Sequence, residues 1–285
     1  MVAFRKMAVT SYPPRLWALA GYPGSGKSTF AAQMRTPILA IDADHRFQEV
    51  LSLVKGDVYE LSDNPADHLS TDRIAALLAG NMPGTHVGTI VVDSLTAIIG
   101  PLVVAPMIRK EAGQEKNLAA SFRAKALAMR QLQDAVTSWG TDVLWIYHLK
   151  QARDARGNPV ARSTTVPQTE LDRLKRSLNL ELEIVQEGER RGIKVTWARR
   201  GRCDVPVLWD ESGTWAGLPE RIEAAIYGGL SKGEQDGHEQ EPRYGNGSAL
   251  GANPAEQAAF QEYLAAQDQP PPDINALRTW KKRRG

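Results

Sequence analysis

Eight consecutive residues, Gly21, Tyr22, Pro23, Gly24, Ser25, Gly26, Lys27 and Ser28, match the spacing G-x-x-x-x-G-K-[ST]. Glycines at these positions let the backbone curl tightly, so that successive amide N–H groups point inward at phosphate and the next helix adds its positive end. Lys27 would reach the β- and γ-phosphates of a nucleoside triphosphate, and Ser28 would place its hydroxyl on Mg²⁺. Thr29 continues the cradle into the helix. Farther along, the apolar run 89–92 is closed by Asp93, a carboxylate suited to hold that ion directly or through water. The expected ligands are therefore ATP and Mg²⁺.

Hydrolysis needs, in addition, a carboxylate near the γ-phosphate to orient or deprotonate water. Asp44 lies just past the apolar run 37–41, which makes it the first choice of base, with Asp42 and Glu49 next. The competing reading is that Asp42 or Asp44 caps the following helix. His148 ends the run 143–147, where a neutral imidazole can donate to phosphate or serve as a hydrogen-bonded structural residue.

These groups need elements that deliver them to one place. Residues 15–20 read as a strand, 21–26 as the loop and 27–34 as a helix halted before Pro37. A second strand over 37–41 ends in Asp42, a minor strand covers 58–61, and a helix covers 71–79. The continuous β-branched run at 89–92 fits a central parallel strand buried on both faces. Residues 118–139 have helical spacing through Phe122, Leu127, Met129, Leu132 and Val136, with Arg and Lys marking the outer face, before the strand at 143–147. Residues 150–169 lack an apolar period and carry Gly157, Asn158, Pro159 and Pro167, so they read as a long loop. Strands at 178–185, 193–197 and 205–209, joined by turns at Gly188 and Gly201, are expected to be antiparallel at one sheet edge. The fold class is thus α/β, a mainly parallel sheet flanked by helices.

The folded domain is expected to span residues 1–227. Residues 228–253, rich in Gly, Ser, Glu, Gln and Asn, read as a disordered linker. Residues 254–285 offer one amphipathic helix over 254–267 (Ala258, Phe260, Tyr263, Leu264) and a basic end from Trp280 through Arg284, a flexible tail able to engage a protein partner. No internal repeat is present.

With 42% hydrophobic and 24% charged residues, the chain has the composition of a globular protein rather than a disordered one. The formal net charge of +2 does not advertise a polyanion partner, so any nucleic-acid contact must rest on where the basic residues lie. The single cysteine, Cys203, is expected to serve packing. No apolar run is long enough for a membrane span, and the first ten residues lack the apolar core of a signal peptide, so the expectation is a cytoplasmic protein without membrane contact.

Taken together, three segments resemble the RecA-like ATPases, including phage-encoded ATPases associated with recombination and single-strand annealing. Beside the glycine loop, Ile41-Asp42-Ala43-Asp44-His45 is similar to the family's segment Ile-Asp-Ala-Glu-His, whose Glu positions the attacking water. Residues 90–95, Ile-Val-Val-Asp-Ser-Leu, resemble its second nucleotide motif. Asp44 departs from the pattern by one methylene. The resemblance, over roughly residues 15–210, implies a RecA-like fold, a homo-oligomer and a γ-phosphate sensor at His148. It also implies contact with single-stranded DNA through the loop after His148.

That loop and the next helix carry Lys150, Arg153, Arg156, Arg162, Arg173, Lys175 and Arg176 against Asp154, Glu170 and Asp172. A basic loop can track phosphates without reading sequence. Arg199-Arg200-Gly201-Arg202 corresponds to the position where hexameric relatives use a Lys-x-Arg pair to reach a neighbour's γ-phosphate, with Ala198 in place of the Lys. Arg200 or Arg202 would act as an arginine finger across a subunit interface, or belong to an exposed turn. The leading expectation is a Mg²⁺-dependent ATPase working with single-stranded DNA in recombination, annealing or repair. The alternatives are a P-loop kinase of a small acceptor and a non-hydrolysing nucleotide switch that docks a protein.

Overall fold

The computed structural model describes residues 12–113, 119–153, 159–164 and 166–228, all within one compact unit spanning Met1–Glu239. The expected linker, C-terminal helix and basic end lie outside the described residues.

Five strands carry the parallel core. They are β1 (Leu16–Gly21), β2 (Ile38–Asp42), β3 (Val58–Glu60), β4 (Thr89–Asp93) and β5 (Asp142–Arg153). They stand in the order β3-β2-β4-β5-β1 and pair in parallel throughout. The order matters because β5 is inserted between the strand feeding the glycine loop and the strand ending in Asp93. Register then aligns Gly21 with His148 and Asp42 with Asp93. Three strand ends, Asp42, Asp93 and Gly21, and His148, where the parallel pairing of β5 stops, therefore lie along one rim, the carboxyl end where open α/β sheets bind ligands.

Helices cover both faces. Side-chain alternation along β1 sends Trp17 and Leu19 to one face, with α1 (Lys27–Ala31) and α6 (Leu218–Tyr227), and Ala18 and Ala20 to the other. The second face is covered by α2 (Thr71–Asn81), α3 (Leu95–Glu111), α4 (Ala119–Thr137) and α5 (Gln168–Lys175). Strands buried on both faces read as continuous apolar runs, which is why the central strands are evident in the sequence. The pattern does not reveal α3, since Pro101 and Pro106 lie inside it and proline ordinarily argues against a helix interior.

Three expectations need correction. Residues 150–169 are not a loop throughout: β5 runs on to Arg153 and pairs antiparallel with β6 (Pro159–Thr164), after which α5 begins. A two-stranded ribbon satisfies its backbone through cross-strand hydrogen bonds, so it needs no apolar period. Pro159 occupies the first residue of its strand, where proline is tolerated.

On α4, Met129, Leu132 and Val136 are buried as expected, but Phe122 and Leu127 are exposed. Lys125 is buried and pairs with Glu170 at 3.4 Å. Positions 125, 129, 132 and 136 share one helical face, so the lysine lies on the inner stripe and Leu127 on the opposite one, while Phe122 continues the stripe near the helix start, its ring 5.3 Å from the Lys125 ammonium. Cys203 is exposed, because it follows the last long strand in an irregular segment rather than entering the core.

The late strands β7 (Leu180–Glu187), β8 (Arg190–Ala198) and β9 (Leu208–Trp209) are antiparallel to one another at the sheet edge as expected, while β7 itself joins β1 in parallel. Among the described residues, no helix is long and apolar enough to cross a membrane.

Candidate nucleotide site

Between β1 and α1 the chain turns through Gly24 (φ 75°) and Gly26 (φ 95°), left-handed conformations that an L side chain would strain. The Lys27 ammonium lies against the loop and donates to the Tyr22 carbonyl oxygen at 2.8 Å. Burial lowers its pKa, opposed by the nearby carboxylates of Asp93 and Asp44. Ser28 Oγ donates to Asp93 Oδ2 at 2.6 Å, which joins the loop to the end of β4.

Asp93 is buried, and that burial pushes its pKa up to about 6, with Asp44 and Asp42 adding to the rise and the Ser28 hydrogen bond resisting it. Ser28 and Asp93 supply a hydroxyl and a carboxylate side by side, the hard oxygen donors that Mg²⁺ prefers. Ligand atoms of Asp44, Asp93 and His148 all lie within 4.8 Å of one another. The donor set thus fits a divalent cation held by Ser28 and Asp93.

The two candidate bases separate cleanly. Asp42 Oδ1 accepts the Arg46 amide at 3.1 Å and Oδ2 accepts the Phe47 amide at 2.8 Å, so this carboxylate caps the 3₁₀ helix at Phe47–Leu53. Asp44 has no such duty. Its Oδ2 lies 3.2 Å from His148 Nε2. Burial alone would raise the Asp44 pKa, but hydrogen bonds with His148 and Ser94, together with the charge of Lys27, hold it below the usual carboxylate range. Asp44 is therefore ionised at neutral pH and oriented. The His148 amide donates to Thr96 Oγ1 at 2.8 Å, tying β5 to α3 where its parallel pairing stops.

A pocket of about 530 Å³ opens over this rim, lined by Pro23, Gly24 and Gly26 to Thr29 of the loop together with Asp44, Arg46, Glu49, Asp93 and His148. Of the residues that the sequence singles out, Lys27, Ser28, Asp44, Asp93 and His148 thus converge in one cavity.

Arg200 and Arg202 do not join them. Ala198 pairs with Leu180 at the start of β7, so both arginines stand at the opposite end of the sheet from their own glycine loop. There the Arg202 amide donates to the Ile226 carbonyl oxygen at 3.2 Å, and its side chain lies 3.7 Å from Asp204.

Among the described residues, two of the basic side chains after His148 are already engaged. Lys175 is paired with Glu181 at 2.7 Å, and Arg173 donates to the Ala126 carbonyl oxygen at 3.2 Å. Lys150 and Arg176 are exposed. The side chains of Arg153, Arg156 and Arg162 lie outside the described residues.

Several supporting residues carry no signal in the sequence. Trp215 is fully buried, and its indole N–H donates to the Gly26 carbonyl oxygen at 3.0 Å. Its ring packs edge-on against Phe30 at 6.0 Å and lies under the Arg191 guanidinium at 5.3 Å. His68, also fully buried, accepts the Asp42 amide at Nδ1 over 2.9 Å and pairs through Nε2 with the Ser62 carbonyl oxygen at 2.8 Å. The carbonyl acceptor fixes the proton on Nε2 and leaves Nδ1 free to accept. Arg46 is the one addition to the pocket that adjacency to Asp44 could have suggested.

A family model described as an AAA domain matches residues 14–203, well over half of the chain. No curated protein matches. Among solved structures, the RadB recombinase is 15% identical with a TM-score of 0.36, the match covering 66% of this chain and 83% of that one. A KaiC-like protein from the hyperthermophilic archaeon Pyrococcus horikoshii OT3 is 13% identical with a TM-score of 0.42, covering 71% and 88%.

Proposed function

The chain belongs to the AAA-domain family, and on that premise we propose that it is a RecA-like ATPase that binds ATP with Mg²⁺ and hydrolyses it in concert with single-stranded DNA. One observation carries the reading. The ionised Asp44 carboxylate, oriented by His148 at 3.2 Å, faces the same pocket as Lys27 and the Ser28–Asp93 pair.

In this reading the loop amides and Lys27 cradle the β- and γ-phosphates of the substrate. Ser28 and Asp93 would hold Mg²⁺, which would supply positive charge against the phosphate oxygens. Asp44 accepts a proton from a water whose oxygen bonds to the γ-phosphorus as the bond to the bridging oxygen breaks, giving ADP and phosphate. His148 holds Asp44 in register and senses the γ-phosphate. The β5–β6 hairpin begins directly after His148, so its basic residues are suited to link nucleotide state to a DNA backbone in recombination, annealing or repair. Arg200 or Arg202 would contribute only to a neighbouring subunit's site in a homo-oligomer.

The test is steady-state phosphate release with Mg²⁺, measured with and without a single-stranded oligonucleotide. The expected outcome is Mg²⁺-dependent turnover that rises severalfold with DNA. Label appearing on a small acceptor would make the protein a kinase, and tight ATP binding without turnover would make it a switch.

A further inference from the structure

We propose that Arg46 contacts the γ-phosphate of bound ATP from within the same chain, as a catalytic residue that stabilises charge in the transition state. The inference rests on the nucleotide reading of the pocket and adds to it a group that neither the glycine loop nor the Asp93 motif supplies.

Arg46 lines the same pocket as Asp44, Glu49, Lys27, Ser28 and Thr29. Lys27 and Arg46 are the only lysine or arginine side chains among the described residues lining it. The backbone at Arg46 is fixed. Its amide donates to Asp42 Oδ1 at 3.1 Å, the next amide donates to Asp42 Oδ2 at 2.8 Å, and Phe47 and Val50 anchor the following 3₁₀ turn in the core. The side chain, by contrast, is exposed, and its guanidinium has no hydrogen-bond or ion-pair partner among the described residues. A planar cation on an immobile pivot, with all of its N–H donors available, suits the oxygens of a terminal phosphoryl group. It costs little reorganisation when negative charge spreads over those oxygens.

Other arginines fit this task less well in their own chain. Arg191 is engaged by the Gly213 carbonyl oxygen at 2.9 Å and by the Trp215 ring. Arg200 and Arg202 stand at the far end of the sheet.

Because Arg46 anchors the turn through its amide rather than its side chain, Arg46→Ala should fold with an unchanged thermal midpoint. Binding of ADP and of a non-hydrolysable ATP analogue, each with Mg²⁺, is then measured for the native protein, Arg46→Ala and Arg46→Lys, alongside kcat and KM for ATP. Arg46→Ala should lose roughly ten- to a hundredfold in affinity for the analogue while its ADP affinity stays within about twofold, the scale of one charge-assisted contact. Its kcat should fall by at least the same factor, and Arg46→Lys should recover part of both. An Arg46→Ala protein that keeps both its preference for the analogue over ADP and its kcat overturns the proposal while leaving the ATPase reading intact. A native protein that binds neither nucleotide overturns both.

Discussion

At Asp42 both carboxylate oxygens are occupied by backbone amides, whereas Asp44 turns its side chain to His148 and the pocket. Replacing Asp44 with Asn keeps the size and removes the charge that accepts a proton. Asp44→Asn should therefore bind ATP with Mg²⁺ as the native protein does, yet hydrolyse it roughly 10²-fold more slowly, the scale of losing a positioned base. Single-turnover phosphate release measures this directly, and normal turnover would move the base to Glu49. The residues proposed to hold phosphate and metal were legible because their chemistry dictates their spacing. The choice between Asp42 and Asp44 was not, since two aspartates on either side of one alanine offer the same chemistry. Only the positions of the Arg46 and Phe47 amides divide the roles. Trp215 and His68 were invisible for a related reason: each acts on a backbone group of a residue distant in sequence, Gly26 and Asp42, and backbone groups leave no trace in a sequence.

Among the elements, the buried parallel strands announced themselves through unbroken apolar runs, and the β5–β6 hairpin did not. Its register, from Leu149 opposite Thr164 to Arg153 opposite Pro159, rests on main-chain pairing that tolerates polar side chains on both faces. Lys125 misled in the same way. A lysine reads as surface, but its position on the inner stripe of α4 and its partner Glu170 on α5 bury it as half of an ion pair. Such pairs survive burial only when each charge has its partner. The hairpin carries the element-scale prediction. Neutralising Lys150, Arg153, Arg156 and Arg162 together should weaken single-stranded DNA binding and flatten its salt dependence, the slope against log salt falling by about 0.7 for each phosphate no longer neutralised. Nucleotide affinity should change little. A salt titration followed by fluorescence anisotropy checks it, and an unchanged slope would direct attention to the basic residues 281–284.

Across the whole described unit, topology does what no single motif can. Inserting β5 between β4 and β1 puts His148 between the Asp93 carboxylate and the glycine loop, and parallel register brings Asp42, Asp93, His148 and Gly21 to one rim. The sequence predicted which residues would meet but not the order of the strands that make them meet, because strand order depends on crossover packing over long separations. The same order sends Ala198 and the arginines after it to the opposite rim, so any contribution from them to catalysis requires a second subunit. What remains within one chain is the proposed hydrolytic rim, and the cation it holds against the glycine loop is Lys27. Mg²⁺-dependent phosphate release by the native protein and by Lys27→Ala, compared after confirming that the two share the same thermal midpoint, tests that rim as a whole. The native protein should turn over ATP only with Mg²⁺, and the variant should release no measurable phosphate. If Lys27→Ala instead hydrolysed ATP at the native rate, the glycine loop could not be the nucleotide site.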